Sequence, residues 1–301
     1  PTLRLPIAIA VPAPSIEVTP DPVVIAVSAG GTGSGEASIG NAGGGTLEFA
    51  VQSAGGVALS LIDQPLLGSG TGTRAGQLTD VGGRALLASD DFTVAADAQL
   101  TSLRTEGFIL AGGQPVGTGA EELVWAIFPD VDGAPAGNPI DGLDEAVWTY
   151  ASAPNGAGVG TAGNIITLDL AAAGQSVELA PGDYWFTVHA VSTLANNWIW
   201  FYANAPQSGS LPLVYDTDFA ADGWVRPAND FPSLSLRING EVGCGAPWIT
   251  SVTPASGSAN AGDAVPVSVA VDASGLDAGS YSAVVCVGSN DPARAVATFA
   301  V

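Results

Sequence analysis

Nowhere in this chain does an apolar stripe of 3.6-residue period run between two helix caps. Short apolar stretches recur instead, cut by Gly, Pro, Asn and Asp. Forty glycines and 21 prolines in 301 residues supply the cuts. Such punctuation bounds strands and turns and breaks helix interiors. The fold is therefore expected to be all-β. A chain of 301 residues is long enough for two domains with their own cores.

The start of the chain, PTLRLPIAIAVPAP, is the clearest alternation. Leu3, Leu5, Ile7, Ile9 and Val11 interleave with Thr2, Arg4, Pro6, Ala8 and Ala10, the period of a strand with one apolar face. Pro6 lacks an N–H and suits an edge, and Pro12 and Pro14 make a stiff exit. Further strands are expected at 16–18, 23–27 and 46–51. The stretch 55–83, rich in small residues, reads as a loop-rich entry to a second region. That region carries strands near 91–94, 99–110, 122–128, 146–150, 164–170, 176–179, 183–191, 198–202 and 233–238. Nine or so short strands separated by turns point to a jelly roll or a related sandwich. Trp198, Trp200 and Tyr202 alternate with Ile199 and Phe201, so both faces of that strand are apolar and it is expected to sit centrally. Strands at 265–271, 281–287 and 295–301 close the chain.

Two separated segments share a pattern. The first holds Ser15-Ile16-Glu17-Val18-Thr19-Pro20, Ile39-Gly40-Asn41 and Thr46-Leu47-Glu48-Phe49. The second holds Trp248-Ile249, Val252-Thr253-Pro254, Gly275-Leu276-Asp277-Ala278-Gly279-Ser280-Tyr281 and Ser289-Asn290-Asp291-Pro292. Joined, they resemble the immunoglobulin-like repeat of the BACON and abnormal-spindle-like type, common in secreted bacterial proteins. The resemblance covers about 90 residues and implies a fold, not an activity. It also implies an insertion of roughly 190 residues after Gln52, which is domain-sized. The insert looks like the jelly-roll-like modules found beside such repeats in secreted subtilisin-like peptidases. Pro181-Gly182-Asp183-Tyr184-Trp185 and the Trp-rich strand carry that likeness. The expected organisation is a donor-type strand and Pro-rich linker at 1–14, an immunoglobulin-like sandwich at 15–52 plus 244–301, and an inserted jelly-roll-like domain at 53–243. Pro1–Val11 looks like the last strand of a preceding sandwich. Residues 294–301 already supply that strand here, so Pro1–Val11 is a spare.

The formal net charge is -22, from 29 acidic residues against seven basic ones, all arginine. Such a surface repels nucleic-acid phosphates and anionic lipid. No run of about 18 apolar residues is present to span a membrane. The absence of Met and a start at Pro1 point to a mature product with a processed N-terminus. Cys244 and Cys286, an even pair, point to one disulfide in an oxidising, extracellular compartment. Two buried free thiols are the alternative.

No catalytic constellation stands out. The only histidine, His189, shares a strand face with Trp185 and Thr187, and no G-x-S-x-G, H-E-x-x-H or Cys-His motif supports it. Asp130, Asp132 and Asp141 collect hard oxygen ligands that suit calcium, or form a plain acidic turn. Trp198, Trp200 and Trp224 suit sugar stacking, or core packing.

The chain is thus expected to be a non-catalytic extracellular structural protein, self-associating into a homopolymer by β-strand donation. Leu3, Leu5, Ile7, Ile9 and Val11 would fill a neighbour's open sheet edge and build a filament. The same strand can also fold back on its own module or stay disordered. The other class of reading is an accessory polysaccharide- or protein-binding module released from a larger secreted enzyme.

Overall fold

A computed structural model of the protein describes residues 12–64, 71–94, 96–109, 112–203, 212–218, 223–226, 233–291, 294 and 296–301. The donor-type strand Pro1–Val11 lies outside the described residues. The chain is all-β, and its only α-helix among the described residues is the four-residue turn Val116–Gly119. It divides into two compact units. One comprises residues up to Val57 together with Gly243–Val301, the other Ala58–Val242.

The first unit has two four-stranded antiparallel sheets. One runs Ile16–Thr19, Thr32–Asn41, Ala264–Asp272, Ile249–Thr253. The other runs Ser256–Asn260, Thr46–Gln52, Val284–Ser289, Val296–Ala300. Alternate residues of both turn inward and share one core, with Ile39, Leu47, Val267, Val269, Val285 and Phe299 all but inaccessible to water. Burying each such side chain contributes on the order of 1.5–3 kcal/mol. Cys244 and Cys286 are joined by a disulfide across 42 residues of sequence, as the even pair predicts. The Asp291 carboxylate accepts the Ile16 N–H at 2.9 Å and ties the first strand to the end of the chain.

The connections to the second unit leave and return side by side. The Cys244 N–H donates to Gly55 O at 2.6 Å. The two passes run so close that a Cβ on Gly245 would lie 1.6 Å from Ser53 O, at φ 76°. Only glycine fits there.

In the second unit, one sheet runs Ala134–Pro135, Ala120–Val131, Gly182–Ser192, Gly76–Leu78, Ala85–Val94, Leu213–Asp216, with Trp148–Ser152 also on Ala120–Val131. The other centres on Ala98–Ile109, which pairs with Ile165–Asp169, Val177–Leu179, Trp198–Phe201 and Leu236–Gly243. The Phe186 ring meets Trp200 edge-on at 5.9 Å and joins the two inner faces. Trp198–Phe201 is flanked on both sides, by Ala98–Ile109 and Gly72–Arg74, as its two apolar faces predict.

Two expectations from the sequence are corrected. The stretch 55–83 is not mainly loop. It holds the strands Gly56–Gln64, Gly72–Arg74 and Gly76–Leu78. Residues 23–27 are expected as a strand yet make no ladder, while the Gly-rich Thr32–Asn41 forms a long central one. The two facts have one cause. Val23, Ile25 and Val27 lie over Gly33 and Gly35, and a Cβ on Gly35 would fall 2.7 Å from Val23 Cγ1 and 2.8 Å from Ile25 Cγ1. The missing side chains of the strand are replaced by those of the segment above it.

Candidate functional site

The segment over the glycines forms one wall of a groove of about 580 Å³ in the first unit. Val23 anchors it, donating its N–H to Ala300 O at 2.8 Å. The opposite wall is the approach to the Val284–Ser289 strand. It is pinned where Ala283 and Val301 exchange two backbone hydrogen bonds, at 3.0 and 2.8 Å. So the last strand lies between the two walls as far as Val301. Past it the walls continue, and among the described residues no backbone hydrogen bond involves Val24–Val27 or Ala278–Ser282. Neither segment belongs to a sheet, and their backbone N–H and C=O groups have no partner among the described residues. Ile25, Val27, Trp248, Val271 and Leu276 make the lining apolar, and Asp272 and Asp277 add carboxylates. Val24, 85% exposed, points away from the core. The Tyr281 hydroxyl donates to Asp277 O at 3.1 Å and holds the second wall in its turn.

The residues singled out in the sequence fall elsewhere. Trp198 and Trp200 are 0% exposed, and their indole N–H groups donate to Asn164 O and Ser235 O. Their ring faces are taken up by the core, and none is left for a sugar. Trp224 is only partly buried. It donates to Gly137 O and tilts against Tyr215 at 5.5 Å. Asp130 accepts from Gly133 N–H and from the Trp185 indole. Asp141 accepts from the Asn138 amide. Asp132 takes up φ 55° in the turn between them. Among the described residues no three His, Cys, Asp or Glu gather as a metal-binding group.

Among the described residues, the interior of the second unit holds one carboxyl and one imidazole, Asp90 and His189. Asp90 Oδ2 accepts from Gln64 Nε2 at 2.8 Å, Ser233 Oγ at 2.7 Å and Leu234 N–H at 2.7 Å. Burial pushes this carboxyl up to about 7, against the pull of those three donors. Burial also pushes the His189 imidazole down to about 4, and its Nδ1 has no hydrogen-bond partner. A neutral imidazole without an orienting partner lacks the triad arrangement of a general base. Sequence reasoning missed both Asp90 and the groove.

Scanned against protein-family models, the chain matches none, and no curated protein matches it.

Proposed function

We propose that this chain is a non-catalytic extracellular structural protein whose first unit receives an extended strand from a neighbour and so builds a filament. One observation carries the reading: an apolar groove walled on both sides by backbone without hydrogen-bond partners. An extended peptide satisfies such walls with main-chain hydrogen bonds and is selected by alternate side chains. The sequence contains one candidate of that pattern, Leu3 to Val11.

Two features support reading the first unit as an immunoglobulin-like sandwich carrying the second, jelly-roll-like unit as an insert. Its two sheets share one core. The Tyr281 hydroxyl returns to the backbone four residues upstream, as in the tyrosine corner of such sandwiches. The disulfide fits an oxidising compartment, and no helix among the described residues is long and apolar enough to cross a membrane.

Negative-stain electron microscopy of the purified chain tests the reading. Regular filaments are expected, and Ile7→Asp should remove them while leaving the far-UV circular dichroism unchanged. Dispersed particles at all concentrations would overturn it and leave the accessory binding module as the better account.

A further inference from the structure

We infer that the second unit carries a binding site for a sugar acid, whose carboxylate is held between the guanidinium groups of Arg104 and Arg237 and whose hydroxyls meet Asp63 and Glu106. The inference is independent of strand donation and concerns the other unit.

Arg104 and Arg237 stand directly opposite each other on the neighbouring strands Ala98–Ile109 and Leu236–Gly243. Opposite positions on adjacent strands project to the same face, and like charges placed so repel. The chain has seven basic residues against 29 acidic ones, so composition alone disfavours two cations meeting in this way. Leu236 turns into the core, and the two arginines on the other face stay partly exposed. Each has a carboxylate beside it. Arg104 Nη2 pairs with Glu106 two residues along its own strand, and Arg237 Nη2 lies 2.9 Å from Asp63 Oδ2 on the strand Gly56–Gln64. These contacts leave donors unspent. Among the described residues the Arg237 guanidinium has no partner besides Asp63, and its Nε–H is shielded from water with no acceptor. A shielded donor without an acceptor is costly, and a bound oxyanion removes that cost together with the repulsion.

Asp63, Arg104, Glu106 and Arg237, with Ser235, line a hollow of about 260 Å³. Pockets for drug-sized ligands run from roughly 300 to 1,000 Å³, so this one suits a single small ring. The paired guanidiniums offer forked N–H donors that match one carboxylate. The flanking carboxylates decide what else the ligand carries. Asp63 and Glu106 only accept hydrogen bonds when ionised, so they favour O–H donors beside the bound anion and repel further negative charge. A sugar acid answers both demands, with one carboxylate and hydroxyls on the adjoining carbons. A phosphate or sulfate dianion brings a second negative charge against the same two carboxylates. A neutral sugar brings the hydroxyls and leaves the arginines facing each other.

Titration calorimetry of the full chain at neutral pH and low salt, where surface charges are least screened, tests this with D-glucuronate, D-glucose and inorganic phosphate as probes. D-Glucuronate should bind saturably, glucose should not, and phosphate should bind at least tenfold more weakly than glucuronate. Arg104→Gln and Arg237→Gln should each weaken glucuronate binding at least tenfold, while Arg226→Gln, at an exposed arginine outside the hollow, should leave it unchanged. Circular dichroism confirms that each variant is folded, and either arginine variant suffices if the other is not. Asp63→Asn should narrow the preference for glucuronate over phosphate, a change that a merely structural ion pair would not produce. No saturable binding of glucuronate would overturn the inference. So would binding that both arginine variants retain, which would place the ligand elsewhere. Phosphate binding as tight as that of glucuronate would overturn the sugar acid as the ligand.

Discussion

Asp90 and His189 lie on opposite faces of one sheet, both fully buried, and burial drives their proton affinities in opposite directions. Asp90 sits directly across from Phe186, three residues before His189, so strand alternation turns the two side chains apart. Asp90 bonds across to the other sheet, and His189 faces outward under cover.

Their pH effects oppose one another. The Asp90 carboxyl is raised from 3.8 to about 7, so its stabilisation is complete below about 4 and is lost as pH rises through about 7. The His189 imidazole is lowered from 6.5 to about 4, so its stabilisation is complete above about 6.5 and is lost as pH falls through about 4. From about 4 to 6.5 the folded state holds one extra proton on Asp90 and lacks one on His189, and these two slopes cancel. Urea unfolding followed by tryptophan fluorescence should unmask them. Asp90→Asn should leave stability that rises with pH across this window, and His189→Gln stability that falls. Equal slopes in the two variants would show that the buried groups do not titrate as stated.

Gly35→Val should be expensive for a surface-strand substitution. The new Cβ would meet Val23 Cγ1 at 2.7 Å and Ile25 Cγ1 at 2.8 Å, and both belong to the segment that walls the groove. Overpacking of this kind costs about 1–3 kcal/mol. Gly243→Ala, with nothing within 4 Å of its Cβ, serves as the control and should stay within about 0.5 kcal/mol. Thermal unfolding measures both. Equal effects would mean that the segment over Gly35 yields freely.

The second unit should be removable. Gly55 and Cys244 are already hydrogen-bonded, so closing the gap left by deleting Ala58–Val242 requires little chain. The shortened protein, joined by a short Gly-Ser link, should fold with Cys244 and Cys286 still paired, as read by mass spectrometry before and after reduction. A shortened chain with free thiols would show that the first unit needs its insert to form.

The all-β class was legible because glycine and proline break every longer apolar pattern. The disulfide was legible because two cysteines in one predicted module leave a single pairing. Thr32–Asn41 was hidden for a physical reason. Glycine has low strand propensity, and the apolar atoms that fill the space over Gly33 and Gly35 belong to residues six to twelve positions earlier in the chain. Asp90 was hidden as well. Beside Asp91 it reads as a solvated acidic pair, and the donors that hold it come from Gln64, Ser233 and Leu234, far away in sequence. The groove is defined by hydrogen bonds that are not made, and propensity carries no signal for those. Trp198 and Trp200 suit sugar stacking or core packing by pattern, their apolar neighbours Ile199 and Phe201 favour the core, and both are buried there.

The side-by-side exit and return at Gly55 and Cys244 have a mechanical consequence. In a polymer joined through Leu3–Val11 and the groove, tension enters each subunit through the strand leading from Pro12 and leaves through the walls beside Val301. Both points belong to the first unit, and residues 58–242 form a closed detour between neighbouring atoms. Pulling the polymer therefore loads the first unit, and the backbone of residues 58–242 is bypassed. The bypassed unit is free to vary in sequence, or to carry a ligand, without weakening the thread.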